Sequence, residues 1–295
     1  MTKTVATLVI YAYTSFTSSW GPGPILVKKF EKTCKCHVDL VNSGDGGALV
    51  SRLKLEGETT IADVVVGLDE TLLPKMKNDL HWTGDFVPFD HAPYAFIYDS
   101  TLVKNPPHSL DDLLEPQWKG QILLEDPRLS STGLGFLLWV IKEKEDGAWD
   151  YLTHLKNQIR TVSPSWDLAY GLFKNGQGSL VFSYWTSPAY HLQEEHTDRY
   201  KAAVFKSGHY QQTEYMTVVP QSKNQALAKE FISFMLTPEA QAEIPKKNFM
   251  YPANKKTPLP QAFEKLGDAK TLPQLSEKER KDLDLWLKKW REIFS

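Results

Sequence analysis

Cysteine is nearly absent from the 295-residue chain, which holds only Cys34 and Cys36. A C-x-C pair is not the C-x-x-C of redox enzymes and lacks the second pair a structural zinc site requires. On a strand the two side chains would face one way with alpha carbons about 6.6 Å apart, near the limit for a bridge. A strained local disulfide and two buried thiols therefore both stay open. Excess charge of either sign is also lacking: 34 basic and 36 acidic residues leave a formal charge of -2. Such a balance offers no field for a phosphodiester backbone, so nucleic acid is not an expected partner. The longest apolar runs, such as 133–141, fall far short of the roughly 20 residues of a membrane span. The start, Met1-Thr2-Lys3 followed by the apolar stretch from Thr7, shows no export signal with a small-residue cleavage site. Internal repeats and low-complexity tracts are missing.

Catalytic signatures are missing as well. The sequence has no P-loop, no G-x-G-x-x-G after a strand, no H-E-x-x-H and no G-x-S-x-G elbow. Its eight histidines are scattered without metal-ligand spacing. His191 and His196, five apart, would share a helical face poorly and read as a solvated surface pair. The expectation is no catalytic residue, no metal and no cofactor.

What is present is an ordinary globular composition, 41% hydrophobic and 24% charged, in a length suited to two lobes. Thr7 to Tyr13 reads as a buried strand, and Pro22-Gly23-Pro24 opens a helix through Lys32. His37 to Val41 alternates as a strand, Asp45 is placed to cap a helix to Leu55, and Ile61 to Gly67 is a covered β-branched run. This βαβαβ order defines an α/β lobe. A long strand through Tyr94 to Tyr98 leaves it. A second α/β unit follows: strand 121–124, a helix 134–144 opened by Ser130-Ser131-Thr132-Gly133, helices 149–155 and 166–174, and strand 179–184. Strand 216–219 and helix 225–236 come next. The tail has a capping box, Ser276 with Glu279, and an apolar stripe of Leu283, Trp286, Leu287, Trp290 and Phe294.

Aromatic residues stand in turn-like sequence at strand ends: Tyr13, Trp166, Tyr184, Trp185, Tyr190, Phe249 and Tyr251. Ligands of open α/β sheets lie beyond the carboxyl ends of strands, where such rings can form a cage for a flat or cationic molecule. The run Ser130 to Gly133 before a helix offers hydroxyls and unpaired N–H groups to an anion, or simply caps its helix. Asp45 has the same two readings, a cap or an acceptor for a ligand amine.

Several motifs carry a resemblance. They are Tyr11-x-Tyr13-x-Ser15-Phe16, Trp20-Gly21-Pro22-Gly23-Pro24, Asp45-Gly46, Asp63-Val64-Val65-x-Gly67-Leu68-Asp69 and Phe86-Val87-Pro88-Phe89-Asp90. Asp126-Pro127-Arg128, Trp166-x-x-Ala169-Tyr170-Gly171, Ser187-Pro188-Ala189-Tyr190-His191 and Met250-Tyr251-Pro252 continue them. In register over nearly the whole chain, the sequence resembles the bacterial periplasmic thiamine-binding proteins, a family of type II solute-binding proteins serving ABC importers. The resemblance implies a two-lobed α/β fold with the ligand in the cleft between lobes joined by two crossing segments. Lobe 1 is expected over 1–92 and 215–295, lobe 2 over 93–214. It implies a monomer outside the cytoplasm whose leader has been removed. Its ligand would be thiamine, thiamine monophosphate or thiamine diphosphate, delivered to a membrane permease. By the resemblance, Tyr13 and Asp45-Gly46 come from lobe 1, with Asp45 on the aminopyrimidine. Ser130, Ser131, Thr132 and Gly133 reach the phosphate, while Trp166, Tyr184 and Tyr190 form walls. Phe249 stands where a tryptophan is expected, Tyr251 lies beside it, and Trp185 replaces a smaller polar residue. Two alternatives remain: a ferric-ion or other solute binder, and a thiaminase-like enzyme, for which neither cysteine lies at the expected strand end.

Overall fold

In the computed structural model, residues 6–79, 82 and 84–295 are described, so the first residues of the sequence lie outside this account. The chain divides into two compact units. Unit 1 takes the residues up to His91 and Thr213–Pro260, and unit 2 takes Ala92–Gln212 and Gln261–Ser295.

Unit 1 begins with β1 (Thr7–Ala12), the short α1 (Thr14–Thr17), α2 (Gly23–Cys34), β2 (His37–Asn42), α3 (Gly46–Glu56), β3 (Val64–Asp69) and α4 (Leu73–Asp79). β1 lies parallel to both β2 and β3. All six residues of β3 are buried, which is why Val64-Val65-Val66 shows no polar alternation. Asp63, just before β3, accepts the Val9 N–H at 2.8 Å and the Ser222 hydroxyl at 2.5 Å, so that part of the motif holds the sheet together.

β4 (Val87–Asp99) then passes into unit 2. Here follow β5 (Ile122–Glu125), α5 (Ser131–Lys144), α6 (Ala148–Leu155), β6 (Ile159–Ser163), α7 (Trp166–Lys174), β7 (Leu180–Tyr184), α8 (Ser187–Glu194) and β8 (Tyr200–Ala202). β7 runs antiparallel to β4, and β5 runs parallel to β6 and β7. α5 is buried continuously from Thr132 to Val140, as befits a helix apolar on every side. β9 (Gln211–Val218) returns to unit 1 and pairs antiparallel with β3. There α9 (Gln225–Met235) packs on α2 through Phe30 and Phe231, ring centroids 5.2 Å apart. α10 (Pro238–Gln241), a π-helical turn at Ile244–Asn248 and β10 (Tyr251–Pro252) complete this unit. α11 (Gln261–Glu264) and α12 (Leu283–Phe294) belong to unit 2.

Two expectations are corrected. The carboxy-terminal segment from Gln261 joins unit 2, not the first lobe, and the chain passes between the units three times, not twice. The reason is the apolar stripe of α12: Trp290 is 1% exposed and meets Phe136 of α5 edge to face at 6.4 Å. The Ser276–Glu279 capping box forms, with the Ser276 N–H donating to Glu279 at 2.7 Å, but it precedes a 3-10 turn before α12 proper.

Cys34 and Cys36 form a disulfide with alpha carbons 5.2 Å apart. The spacing is shorter than a strand's because Cys34 ends α2 and Lys35 turns the chain through the left-handed region, φ 53°.

Candidate functional site

Unit 1 gathers acids around one phenol. Tyr13, 7% exposed, sits at the N-terminal boundary of α1 and donates its hydroxyl to Glu214 Oε2 at 2.9 Å. Asn248 donates its amide to the Tyr13 oxygen at 2.8 Å and to Asp90 Oδ2 at 2.6 Å. Asp90 and Glu214 are 0% and 5% exposed. Burial first, and then the neighbouring Glu214 charge, pushes Asp90 well above the carboxylate range. Burial likewise pushes Glu214 up to about 7, with the charges of Asp69 and Asp45 adding to it. Asp90 therefore keeps its proton and offers it to Glu214, which takes a second hydrogen bond from Tyr13. Burial and the two acids also raise the Tyr13 phenol, so it remains a donor.

Backbone exceptions deliver these groups. Gly67 has φ +98°, at a register shift between β3 and β9, and a β-carbon there would lie 2.0 Å from the Tyr13 ring. Only glycine lets Tyr13 lie over the strand. The π turn carrying Asn248 ends at Phe249, whose φ of 53° is a strained value for an L residue. Tyr251 stacks on His91 with centroids 5.6 Å apart. Asp45 does occupy the N-cap position of α3, with Gly46 as its first residue, yet its carboxylate makes no capping bond to that helix. The helix-cap reading is therefore not the role its side chain takes in this structure.

Unit 2 supplies aromatic faces and hydroxyls. Trp166, first residue of α7, stacks on Tyr170 at 5.1 Å and meets Tyr184 at 6.3 Å. Tyr184 in turn stacks on Tyr94 at 5.3 Å, and both hydroxyls donate to Gln212 Oε1, at 2.8 and 2.7 Å. Tyr190 accepts a hydrogen bond from Lys174 at 3.2 Å. At the start of α5, Ser130 precedes the helix with extended backbone and its hydroxyl pairs with that of Thr132 at 2.8 Å, so neither caps in the usual way. The buried Ser131 hydroxyl oxygen has no hydrogen-bond partner among the described residues. Gly133 is required there, because a β-carbon would stand 2.4 Å from the Glu125 carbonyl.

Trp185 takes a different place. It is 5% exposed, donates its indole N–H to the Gly267 carbonyl at 3.2 Å and packs edge-on to His209 at 5.0 Å. That environment is a packed core. His191 is also corrected: it is wholly buried, whereas His196 is exposed. Glu214, Asn248, Asp90, Gln212, Tyr170 and His191 were not singled out from sequence as site groups. For Gln212 and Glu214 a signal existed, since both share the inward phase of β9 with Met216.

Among the described residues no cluster of histidine, cysteine or acid side chains could hold a metal ion, and no helix is long and apolar enough to cross a membrane. The arrangement is one of recognition groups on a scaffold of two α/β units, the construction of solute-binding proteins. The profile of the family described as bacterial extracellular solute-binding protein matches residues 57–274, and the chain belongs to that family. The "Thiamine-binding periplasmic protein" of Escherichia coli strain K12 is 41% identical over 306 residues, covering 98% of this chain and 93% of that protein. Its namesake from Brucella suis biovar 1 is 42% identical over 303 residues, covering 96% and 91%. The solved structure of a periplasmic thiamin binding protein matches with a TM-score of 0.94 at 39% identity, covering 100% of this chain and 98% of that one. The fold is that of the type II periplasmic binding proteins.

Proposed function

We propose that this chain captures thiamine and its phosphate esters in the bacterial periplasm and hands them to the permease of an ABC importer, as a monomer and without catalysis. The observation that carries this reading is the near full-length likeness to thiamine-binding periplasmic proteins. The chemistry of each unit agrees with it. Thiamine carries a fixed thiazolium charge and two flat rings. Aromatic faces such as Trp166 and Tyr184 stabilise a cation by roughly 0.5 to 2 kcal/mol each. In unit 1, Asp45 takes the aminopyrimidine amine, with Tyr13 and Gly46 beside it. Phe249 and Tyr251 contribute further ring surface. In unit 2, Ser130, Ser131, Thr132 and Gly133 meet the ester phosphate at the start of α5, while Trp166, Tyr184 and Tyr190 meet the rings.

Cysteine chemistry supports this reading against one alternative. A thiaminase-like reaction needs a thiolate nucleophile, and both cysteines of the chain are joined to one another. Calorimetric titration with thiamine tests the reading: one-to-one binding is expected. Asp45→Asn should weaken thiamine by about 1 to 3 kcal/mol while sparing a thiazolium fragment that lacks the pyrimidine. No heat with thiamine or either ester overturns the assignment, and turnover of thiamine with an added amine overturns the absence of catalysis.

A further inference from the structure

His191 directly follows Tyr190 on α8, and its side chain is 0% exposed. A buried neutral imidazole offers one donor and one acceptor, and both are used here. Nε2 lies 2.8 Å from the Tyr170 hydroxyl, and Nδ1 lies 2.6 Å from Glu195 Oε2. Burial would raise Glu195, but the donors Lys174 and His191 outweigh it and hold the carboxylate low, so Glu195 is an acceptor. Nδ1 therefore carries the proton and Nε2 accepts from Tyr170, whose phenol burial keeps protonated.

Contacts continue from Tyr170 to Trp166. The Trp166 indole N–H donates to Ser183 Oγ at 2.7 Å, and Ser183 meets Ser187 Oγ at 2.7 Å. Trp166 also stacks directly on Tyr170 with ring centroids 5.1 Å apart, and Tyr170 donates to His191. Past His191, Glu195 also receives Lys174, which donates in turn to the Tyr190 hydroxyl. Tyr170, His191 and Glu195 thus form a directed run in which His191 accepts on one side and donates on the other, so removing it leaves polar groups on both sides unmatched. Trp166 and Tyr190, 24 positions apart in sequence, are tied to the same imidazole.

We propose that His191 is a positioning residue for ligand binding, holding the Trp166 ring and the Tyr190 hydroxyl in place through this chain. The proposal rests on the reading that those two side chains touch the ligand. Protonation at Nε2 would convert the acceptor for Tyr170 into a donor and break the direction of the chain. The groups facing His191 are Tyr170 and Lys174 of α7, Tyr190 of α8, Glu195 after it, Arg199 just before β8 and Tyr200 of β8. Burial leads among them and lowers the imidazole, so the neutral form prevails at neutral pH.

The test compares the wild-type chain with H191F, H191Q and K174M. The first readout needs no ligand: H191F and H191Q should shift the proton resonance of the Trp166 indole N–H, and an unmoved resonance overturns the chain. Thiamine affinity at neutral pH should fall about tenfold in H191F, and by about threefold or less in H191Q, whose amide can both accept and donate. Between about pH 7.5 and 5 the wild type should lose affinity faster than H191Q, by about threefold, with the ligand's own titration cancelling in the ratio. A constant ratio, or full affinity in H191F, overturns the proposal. Should H191F fail to fold, K174M replaces it. Loss of the Lys174 bond should weaken thiamine about threefold, and unchanged affinity overturns the Tyr190 arm. A wild type that ignores thiamine while the indole resonance still moves defeats the functional reading and leaves the hydrogen-bond chain standing.

Discussion

Unit 1 buries carboxyl groups around Tyr13, whereas unit 2 buries an imidazole within a chain of hydroxyls, and the two choices respond to pH in opposite senses. In both the leading cause is the same, the cost of charge away from water. For Asp90 and Glu214 that cost raises the pKa, so the folded state holds protons the unfolded chain has lost near neutrality. For His191 it lowers the pKa, so the folded state refuses a proton the unfolded chain would take. Burial of a titratable group is thus a commitment to one side of neutrality, and these two sites make it in opposite directions.

The largest effect should come from the backbone that makes the first arrangement possible. Gly67→Ala places a β-carbon 2.0 Å from the Tyr13 ring at φ +98°, and that ring is buried with its hydroxyl bonded to Glu214 and Asn248. Overpacking of about 1 to 3 kcal/mol adds to about 1 to 2 kcal/mol of backbone strain, so urea unfolding should show a loss of about 3 kcal/mol or more. Gly57→Ala is the control. That glycine also has positive φ, 52° with ψ -131°, but nothing lies within 4 Å, so only the backbone cost of about 1 to 3 kcal/mol should appear. Equal losses at the two sites would show that the close approach to Tyr13 contributes nothing.

A smaller effect separates the two units by pH. Since the folded pKa values of Asp90 and Glu214 lie above their unfolded values, their contribution is lost as pH rises through the folded value, about 7 for Glu214. His191 runs the other way: its folded pKa lies below the unfolded one, and stability is lost as pH falls below the ordinary histidine range. Amide-exchange protection, corrected for intrinsic rates, should therefore fall in β3 with rising pH and in α8 with falling pH. Asp90→Asn combined with Glu214→Gln should abolish the first slope and leave the second. Two slopes of the same sign would refute the comparison.

The part of this molecule that could be read from sequence was what local pattern controls. The parallel βαβ order, the helices from Gly23, Gly46 and Trp166, and the buried run at Val64 follow from periodicity, proline placement and β-branching. Trp166 and Tyr184, whose rings meet in the structure, are legible in the sequence as aromatics at strand ends. What escaped depends on partners distant in sequence. Glu214 meets Tyr13 across 201 positions, and Trp185 finds the Gly267 carbonyl across 82. No local rule distinguishes that buried indole from an exposed one. His191 was misread for a related reason: its spacing to His196 argued for the surface, while its real partners are Tyr170 on another helix and Glu195 four residues on. The helix α8 escapes a local reading as well, because Pro188, a common first-turn residue, reads locally like a break.

The smallest effect sharpens the assignment of the phosphate end. Ser130 is 1% exposed, and its hydroxyl pairs with Thr132 at 2.8 Å ahead of the 14-residue helix α5. A helix N-terminus favours an anion by about 0.3 to 1 kcal/mol when exposed and up to about 2 when partly buried, so thiamine monophosphate should bind only modestly better than thiamine. If the Ser130 hydroxyl meets ester oxygens, Ser130→Ala erases part of that difference and scarcely changes thiamine. If instead it serves to brace Thr132, the substitution strands a buried hydroxyl at a cost of about 1 kcal/mol or more, which must appear in the thermal midpoint and in both ligands alike. Calorimetry on the two ligands, read beside a melting curve, separates these outcomes. Equal weakening accompanied by a lowered midpoint would assign Ser130 to the helix and leave the phosphate to the backbone N–H groups of α5.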